Sequence, residues 1–495
     1  MIPRRIVKFF INPEVGSPQP GDRLQKTECM NDTSQLNDAS DVSEPLMKQV
    51  RRGSDPIPGV LPLVGLGLPQ GKTSYDEADL KALKSMGLNA MAAHFPTEVT
   101  ATKRGLVITY TVDDSNATEA LEAGAKTGMR IIPGTDHEVG PTPSGNLMAP
   151  MNRRMAWSSL VSHAKNKYGC PAWMLNVNAT VDNMDRISDT ATTILEQDHW
   201  HKPVIYPLLP GSSTIEELGG STADGWTESD KFDRYCEELE KRCPPSIWWA
   251  TERAYPVISP NIPINREFLS QLGKIRVRSY KSGTGFWSTV HCGIWVQPPY
   301  TGVSEDLLPD SIVKPLYRCI GGEAHVDLAM GARGLVFDSV CGDSRTKWYP
   351  ARNPQQPTLM TEYMADLLAD INKVSEAFMG TCVENCYLID PNGEKEQFPD
   401  YTGIYQGILS GIKGMTDNLI VSHLIDPNSS KDYYVVVNVG VQDQTVELTF
   451  DESVENLNPT ADSESKSGIM FSSKIESGGW RVFSYQRSLA DFGIH

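Results

Sequence analysis

From about residue 57 this chain alternates short apolar runs with helical stretches, and it does so eight times in order. Parallel strands need a long crossover between neighbours, and a helix supplies it, so the alternation predicts repeated β-α units around a parallel sheet. The expected strands are Leu61–Leu68, Leu88–His94, Met129–Pro133, Trp173–Asn178, Pro203–Leu208, one within Ser246–Tyr255, Gly285–Cys292 and Leu335–Val340. Helical stretches separate them at Tyr75–Met86, Ala117–Lys126, Asn152–Tyr168, Asp182–Gln197, Asp230–Arg242, Arg266–Leu272 and Ile312–Met330, and Glu362–Phe378 follows the last strand. Asp76 and Glu77 favour the first helix's start through its dipole, and Gly87 and Gly128 mark stops. Leu106–Tyr110 reads as an extra strand in the excursion after the second. Eight such units in order close into a (β/α)8 barrel more naturally than they form an open sheet.

Beyond residue 380 the period changes. Asp432–Asn438, Thr445–Phe450, Gly468–Ser473 and Trp480–Tyr485 are strands separated by turn residues, with no helix between them, which predicts a small antiparallel β-sandwich. The expected division is a polar leader at 1–56, the barrel at 57–380 and the sandwich at 381–495. Residues 13–55 are rich in Ser, Asp, Asn and Pro and read as disordered. A chain of 495 residues suits two or three domains.

Charge narrows the partners. Against 45 basic residues stand 62 acidic ones, a formal charge of −17, which argues against nucleic acid or an anionic membrane as the main partner. No apolar run reaches the roughly 18 residues of a membrane span. The apolar stretch Ile6–Ile11 is broken by Lys8 and is too short for a secretion signal, so the compartment stays open: cytoplasmic, or exported from a different start. The nine cysteines are scattered without zinc spacing, and buried free thiols are the expectation, although Cys382 and Cys386 are placed to close a short loop. Phosphate-cradling Gly-rich loops and the nucleophile-elbow pattern are absent, and no cofactor or metal is expected. Oligomeric state is not legible.

Three stretches carry a family likeness: Tyr168-Gly169-Cys170-Pro171-Ala172-Trp173-Met174-Leu175; His291 to Pro299; and Glu323-Ala324-His325-Val326-Asp327-Leu328-Ala329-Met330-Gly331-Ala332-Arg333-Gly334-Leu335-Val336-Phe337. With the strand-and-helix layout, they resemble the barrel glycoside hydrolases of the large retaining clan, including its β-galactosidase-like members. The resemblance covers roughly residues 57–490 and implies a barrel with an accessory sandwich, an oligosaccharide or polysaccharide ligand, and hydrolysis of O-glycosidic bonds. It also implies an acid/base Glu at the end of strand 4 and a nucleophilic Glu at the end of strand 7. Here strand 4 ends Asn176-Val177-Asn178-Ala179-Thr180-Val181-Asp182, and strand 7 ends Ser288-Thr289-Val290-His291-Cys292. Neither carries a Glu, so the family's pair has no counterpart at those positions.

Barrel chemistry comes from the C-terminal ends of strands. Glycoside hydrolysis needs two carboxyls in different protonation states. Asp136 or Glu138, after strand 3, against Glu252, after strand 6, is the pair expected to be catalytic. Trp248, Trp249 and Tyr255 neighbour Glu252, and an apolar setting raises a carboxyl pKa as a general acid requires. The structural alternative is that Glu252 and Arg253 face opposite ways, each in an ordinary ion pair. His94, Asn178, His291, Trp295, Tyr300, Asp338 and Trp348 are the expected substrate-binding residues, because sugar rings stack on aromatics while polar groups take the hydroxyls. Three readings stand: a glycosidase with a relocated carboxylate pair, a catalytically inactive carbohydrate-binding barrel, and a structural or assembly protein.

Overall fold

In the computed structural model, the structure describes residues 59–104, 107–137, 149–164, 170–198, 202–251, 266–282, 285–295, 302–342, 344, 347–398, 407–426, 429–459 and 465–487. The 1–56 leader lies outside them.

The chain folds as a (β/α)8 barrel followed by an antiparallel sheet that curls into a sandwich. Eight β-α units follow one another: β1 (Leu63–Leu66) and α1 (Glu77–Ser85); β2 (Ala90–Phe95), a hairpin of β3 (Glu98–Arg104) and β4 (Val107–Asp113), and α2 (Ser115–Thr127); β5 (Arg130–Thr135) and α3 (Ala149–Ala164); β6 (Trp173–Met174) and α4 (Met184–Gln197). Then come β7 (Val204–Pro207) and α5 (Lys231–Arg242); β8 (Ile247–Ala250) and α6 (Arg266–Ser282); β9 (Phe286–His291), β10 (Ile294–Trp295) and α7 (Asp310–Ala329); β11 (Leu335–Asp338), β12 (Lys347–Trp348) and α8 (Leu359–Lys373). The expected extra strand is thus one arm of the β3–β4 hairpin, whose registered pairs run from Glu98–Asp113 to Arg104–Val107. Local chemistry starts and stops the helices. Asp76 and Asp79 form a reciprocal cap on α1, Thr358 and Thr361 do the same on α8, and α2 ends at Gly128 with φ 70°.

The parallel strands run β5-β2-β1-β11-β9-β8-β7-β6. Their side chains alternate between two cores. Val64, Ala90, Ala92, Ile132, Met174, Ile205, Ile247, Trp249, Trp287 and Val336 fill the ring. Leu63, Met91, Ile131, Trp173, Tyr206, Trp248, Phe286 and Phe337 pack outward against the helices. Trp249 and Trp287 are therefore barrel filling, with the Trp249 indole N–H donating to Thr289 Oγ1 at 2.8 Å.

The ring closes between β5 and β6 without a hydrogen-bonded ladder among the described residues. Contact replaces it. His94 on β2 is in register with Gly134 on β5, and its Nε2 reaches past that glycine to Leu175 O at 3.1 Å. A Cβ at Gly134 would stand 2.5 Å from both the His94 ring and Met174 O, so only glycine admits this approach.

The C-terminal strands are β13 (Cys382–Ile389), β14 (Lys395–Gln397), β15 (Leu409–Lys413), β16 (Leu419–Asp426), β17 (Lys431–Asn438), β18 (Gln444–Asn456), β19 (Ser467–Ile475) and β20 (Trp480–Gln486). Their order is β14-β13-β16-β17-β20-β18-β15, with β19 also on β18. β18 pairs β15 over its first half, β19 from Gln444 to Thr449 and again at Val454 and Glu455, and β20 at Glu455 and Asn456. Val436, Val446, Leu448, Phe450, Phe471 and Phe483 fill the space between the layers. The opposite face joins the barrel's outer core through Val435, Val437, Trp480 and Val482. Trp480 stacks on His325 of α7 with centroids 4.1 Å apart and donates its indole N–H to Asp370 of α8 at 2.6 Å. Cys382 and Cys386 lie in one strand as free thiols. No helix among the described residues is long and apolar enough to cross a membrane.

Gly134→Ala is expected to cost about 1–3 kcal/mol, the usual penalty of forcing a methyl into a closed contact. Urea denaturation checks it; an unchanged midpoint would mean the seam yields freely.

Candidate functional site

The side chains at the C-terminal ends of the strands form a polar rim. Asp136 follows β5, is exposed, and accepts the Thr97 backbone N–H on Oδ1 at 2.9 Å. His137 contacts Thr97 O through Nε2 at 2.9 Å, so the ends of strands 2 and 3 are tied at one threonine. Asn178 is exposed, and its carbonyl accepts Asn183 Nδ2 at 3.0 Å. Asp338 is half-buried at the end of β11, in register with His291 on β9. The Asp338 carbonyl takes the backbone N–H groups of Cys292 and Gly293.

Other expected residues have different surroundings. His94 spans the barrel seam, and burial holds its pKa below the ordinary histidine value, with Leu175 O and Asp136 opposing that shift. Trp348 is buried, and its indole N–H donates to Val303 O at 3.0 Å, which fixes a loop. Trp295 pairs its backbone with Lys347. Glu138, Glu252 and Tyr300 lie outside the described residues, as does Arg253.

Two groups near this face went unselected at the sequence level. Asn176, at the end of strand 4, buries its Oδ1 without a hydrogen-bond partner among the described residues. A desolvated amide oxygen without a donor is costly, and such atoms mark places where a ligand or water is accommodated. The two asparagines at that strand end were the available signal.

The second is a pair of acids on α7. Glu323 is 1 % exposed, and its Oε1 meets His291 Nδ1 at 2.9 Å while Oε2 faces the His291 backbone N–H at 3.4 Å. Burial raises the Glu323 pKa, the His291 imidazole and N–H pull it back, and the Asp338 charge adds to the rise. One turn further on, Asp327 is fully buried, and neither carboxylate oxygen is in hydrogen-bond geometry with any of the described residues; the Ser288 hydroxyl faces it from β9. Burial first, then the Glu323 charge, push Asp327 well above the ordinary aspartate value. The signal was present in Glu323-Ala324-His325-Val326-Asp327: acids four apart share one helix face, and here that face is otherwise small and apolar.

A separate groove of about 410 Å³ lies between α5 and the loops after β6 and β7, lined by Trp226, Asp224, Asp230, Asp233, Arg234 and Glu238 among others. Its acids are largely neutralised in place. Asp230 pairs with Arg234, Asp233 with Lys274 and Arg278, and Glu238 with Lys241.

Asp327 gives a signed pH test. A raised folded pKa contributes stability that is present below the ordinary aspartate range and is lost as pH rises through the folded value. Asp327→Asn removes that slope. The variant is expected to gain on the wild type as pH rises from about 5 to about 8, by roughly 1–3 kcal/mol at the upper end. Urea midpoints across that range measure it, and a gain that shrinks with pH would reverse the assignment.

No family model and no curated relative matches this chain. Among solved structures, it is similar to the α-amylase of Geobacillus thermoleovorans complexed with acarbose, at 8% identity and a TM-score of 0.48, over 86% of this chain and 98% of that one. It is also similar to a Paenibacillus cycloisomaltooligosaccharide glucanotransferase complexed with cycloisomaltoheptaose, at 9% identity and a TM-score of 0.47, over 86% and 85% of the two chains. The endo-glycoceramidase II of Rhodococcus, as its lactosyl-enzyme intermediate, is 11% identical with a TM-score of 0.40, over 88% and 99%.

Proposed function

We propose that the protein acts on a carbohydrate held over the C-terminal ends of the barrel strands, hydrolysing O-glycosidic bonds with a carboxylate pair placed differently from the strand-4 and strand-7 glutamates of the family it resembles. The observation that carries this is the ring of polar groups at one barrel end. Asp136, Asn176, Asn178, His291 and Asp338 come from four different strands. Such a ring can take several hydroxyls of one saccharide at once, as a lone surface acid cannot.

In this reading Asp136 is one carboxylate and Glu252 its partner. Thr97 anchors one Asp136 oxygen, which leaves the other for water or an anomeric carbon. Glu252, among Trp248, Trp249 and Tyr255 in sequence, supplies the proton to the departing oxygen. Glu138 is the alternative to Asp136.

The second reading is a carbohydrate-binding barrel without turnover. The absence of Glu from the ends of strands 4 and 7 favours it, since Asn176, Asn178 and His291 stand there instead. Binding and turnover on a panel of natural and chromogenic glycans separate the two. For the enzyme, Asp136→Asn and Glu252→Gln are each expected to lower kcat by about 10²-fold or more while ligand affinity changes little. Binding by the wild type with no turnover selects the second reading, and neither binding nor turnover removes both.

A further inference from the structure

The loop between β7 and α5 holds Gly219-Gly220-Ser221-Thr222-Ala223-Asp224-Gly225-Trp226, too rich in glycine to extend a helix. It folds as one 3₁₀ turn, Thr222–Asp224, started by Ser221 Oγ, which accepts the Ala223 N–H at 3.1 Å, and ended at Gly225 with φ 79°. The turn returns Trp226 onto Gly220, where a Cβ would stand 2.5 Å from the indole, so the ring rests on bare backbone. Val181, in the loop after β6, is fixed as well: its N–H donates to Leu218 O at 2.9 Å and its carbonyl accepts Arg242 Nη1 at 2.7 Å. The indole is half-buried against the outer core, and the remainder lines the groove of about 410 Å³. A ring held this way has little freedom left to lose when a ligand binds.

Charge in the groove is matched by its own surroundings. Asp230 meets Arg234 at 2.8 Å, Asp233 meets Lys274 at 2.6 Å, Glu237 meets Arg278 at 3.5 Å and Glu238 meets Lys241 at 3.4 Å. Of the lining acids, Asp224 is the one without a cation beside it among the described residues. A polycation would have to displace these partners, and an anion would face the carboxylates; a neutral ligand disturbs neither. Hydrogen-bonding capacity remains. Arg234 spends Nε on Asp230, and among the described residues its Nη groups and the Trp226 indole N–H have no acceptor. Donors, an unengaged carboxylate and an aromatic ring thus share one concavity of ligand size.

We propose that this groove is a second carbohydrate site, which takes a neutral saccharide across Trp226. The apolar C–H groups of a sugar ring pack on the indole, the Arg234 Nη groups and the indole N–H donate to ligand oxygens, and Asp224 accepts from ligand hydroxyls. The loops after β6 and β7 and the first half of α5 belong to the same end of the barrel as the polar rim, and Val181 stands three residues beyond Asn178. A saccharide held there is kept at that end, which raises its local concentration at the strand ends. Binding is reversible and involves no covalent step. The proposal takes its ligand class from the carbohydrate reading of the mouth and adds a site distinct from it.

Two measurements on the full chain test it. Indole N–H NMR, with the Trp226 signal assigned by Trp226→Phe, is followed while neutral oligosaccharides of the glycan panel are titrated in, with spermidine as the cationic control. The Trp226 signal is expected to shift saturably with at least one oligosaccharide and to ignore spermidine. Calorimetry with that oligosaccharide is expected to show binding weakened about tenfold in Trp226→Ala and by less in Trp226→Phe, which keeps a ring. Circular dichroism checks folding, and Arg234→Gln, at a surface side chain, is expected to weaken binding severalfold should Trp226→Ala not fold. A glycan that is bound or turned over while the Trp226 signal stays still and Trp226→Ala binds like the wild type overturns the groove and leaves the mouth reading standing. Saturable shifts at Trp226 without turnover of any glycan support the groove and remove the hydrolytic reading. A response to spermidine and to no neutral glycan overturns the saccharide assignment, and a panel that is not bound at all overturns it together with the carbohydrate reading.

Discussion

Everything at the candidate site depends on closing the parallel sheet. An open sheet would leave its eight strand ends in a row, whereas a ring brings the ends of β5, β6, β9 and β11 around one opening. Closure is completed at the β5–β6 seam by contacts rather than a ladder: Gly134 without a side chain, Met174 O pressed against it, and His94 bridging to Leu175 O. The interior core of Trp249, Trp287 and small aliphatic residues then keeps the ring at a fixed width.

Behind the opening, α7 has two duties. Its Glu323 and Asp327 face the strands, and His325, on another face, stacks on Trp480 of the C-terminal sheet. Arg276 and Arg333 add hydrogen bonds from the barrel to Val383 O and Thr381 O at 3.0 Å each. The same helix thus positions the end of strand 7 and anchors the second sheet. Buried acids are retained there although they burden stability. Both have raised pKa values through burial, and among the described residues only Glu323 has a basic partner.

Much of the barrel was legible because periodicity follows from how side chains must be buried. Six of the eight expected strands contain an observed one, β2 and β5 run past their expected ends to Phe95 and Thr135, and α5 begins one residue from its expected start. Helix α6 was foreseen only as far as Leu272 yet runs to Ser282, and its Lys274, Arg276 and Arg278 pair with Asp233, Val383 O and Glu240. Strands β13 to β16 were missed: Lys395–Gln397 is exposed throughout, and Cys382–Ile389 and Leu419–Asp426 are buried on both faces, so neither shows clean alternation.

By itself the sequence determined the succession of elements, the closed parallel ring, the antiparallel C-terminal region and the polar residues at the strand ends. These follow from spacing along one chain: where apolar side chains recur, and where glycine and caps interrupt them. Only the tertiary structure decided that His94 spans the seam, that Trp348 holds a loop, and that Glu323 lies behind His291. Each depends on a partner 32 or more residues away, Leu175 O, Val303 O and His291 respectively, and contact across that distance is set by three-dimensional packing, which local periodicity does not encode.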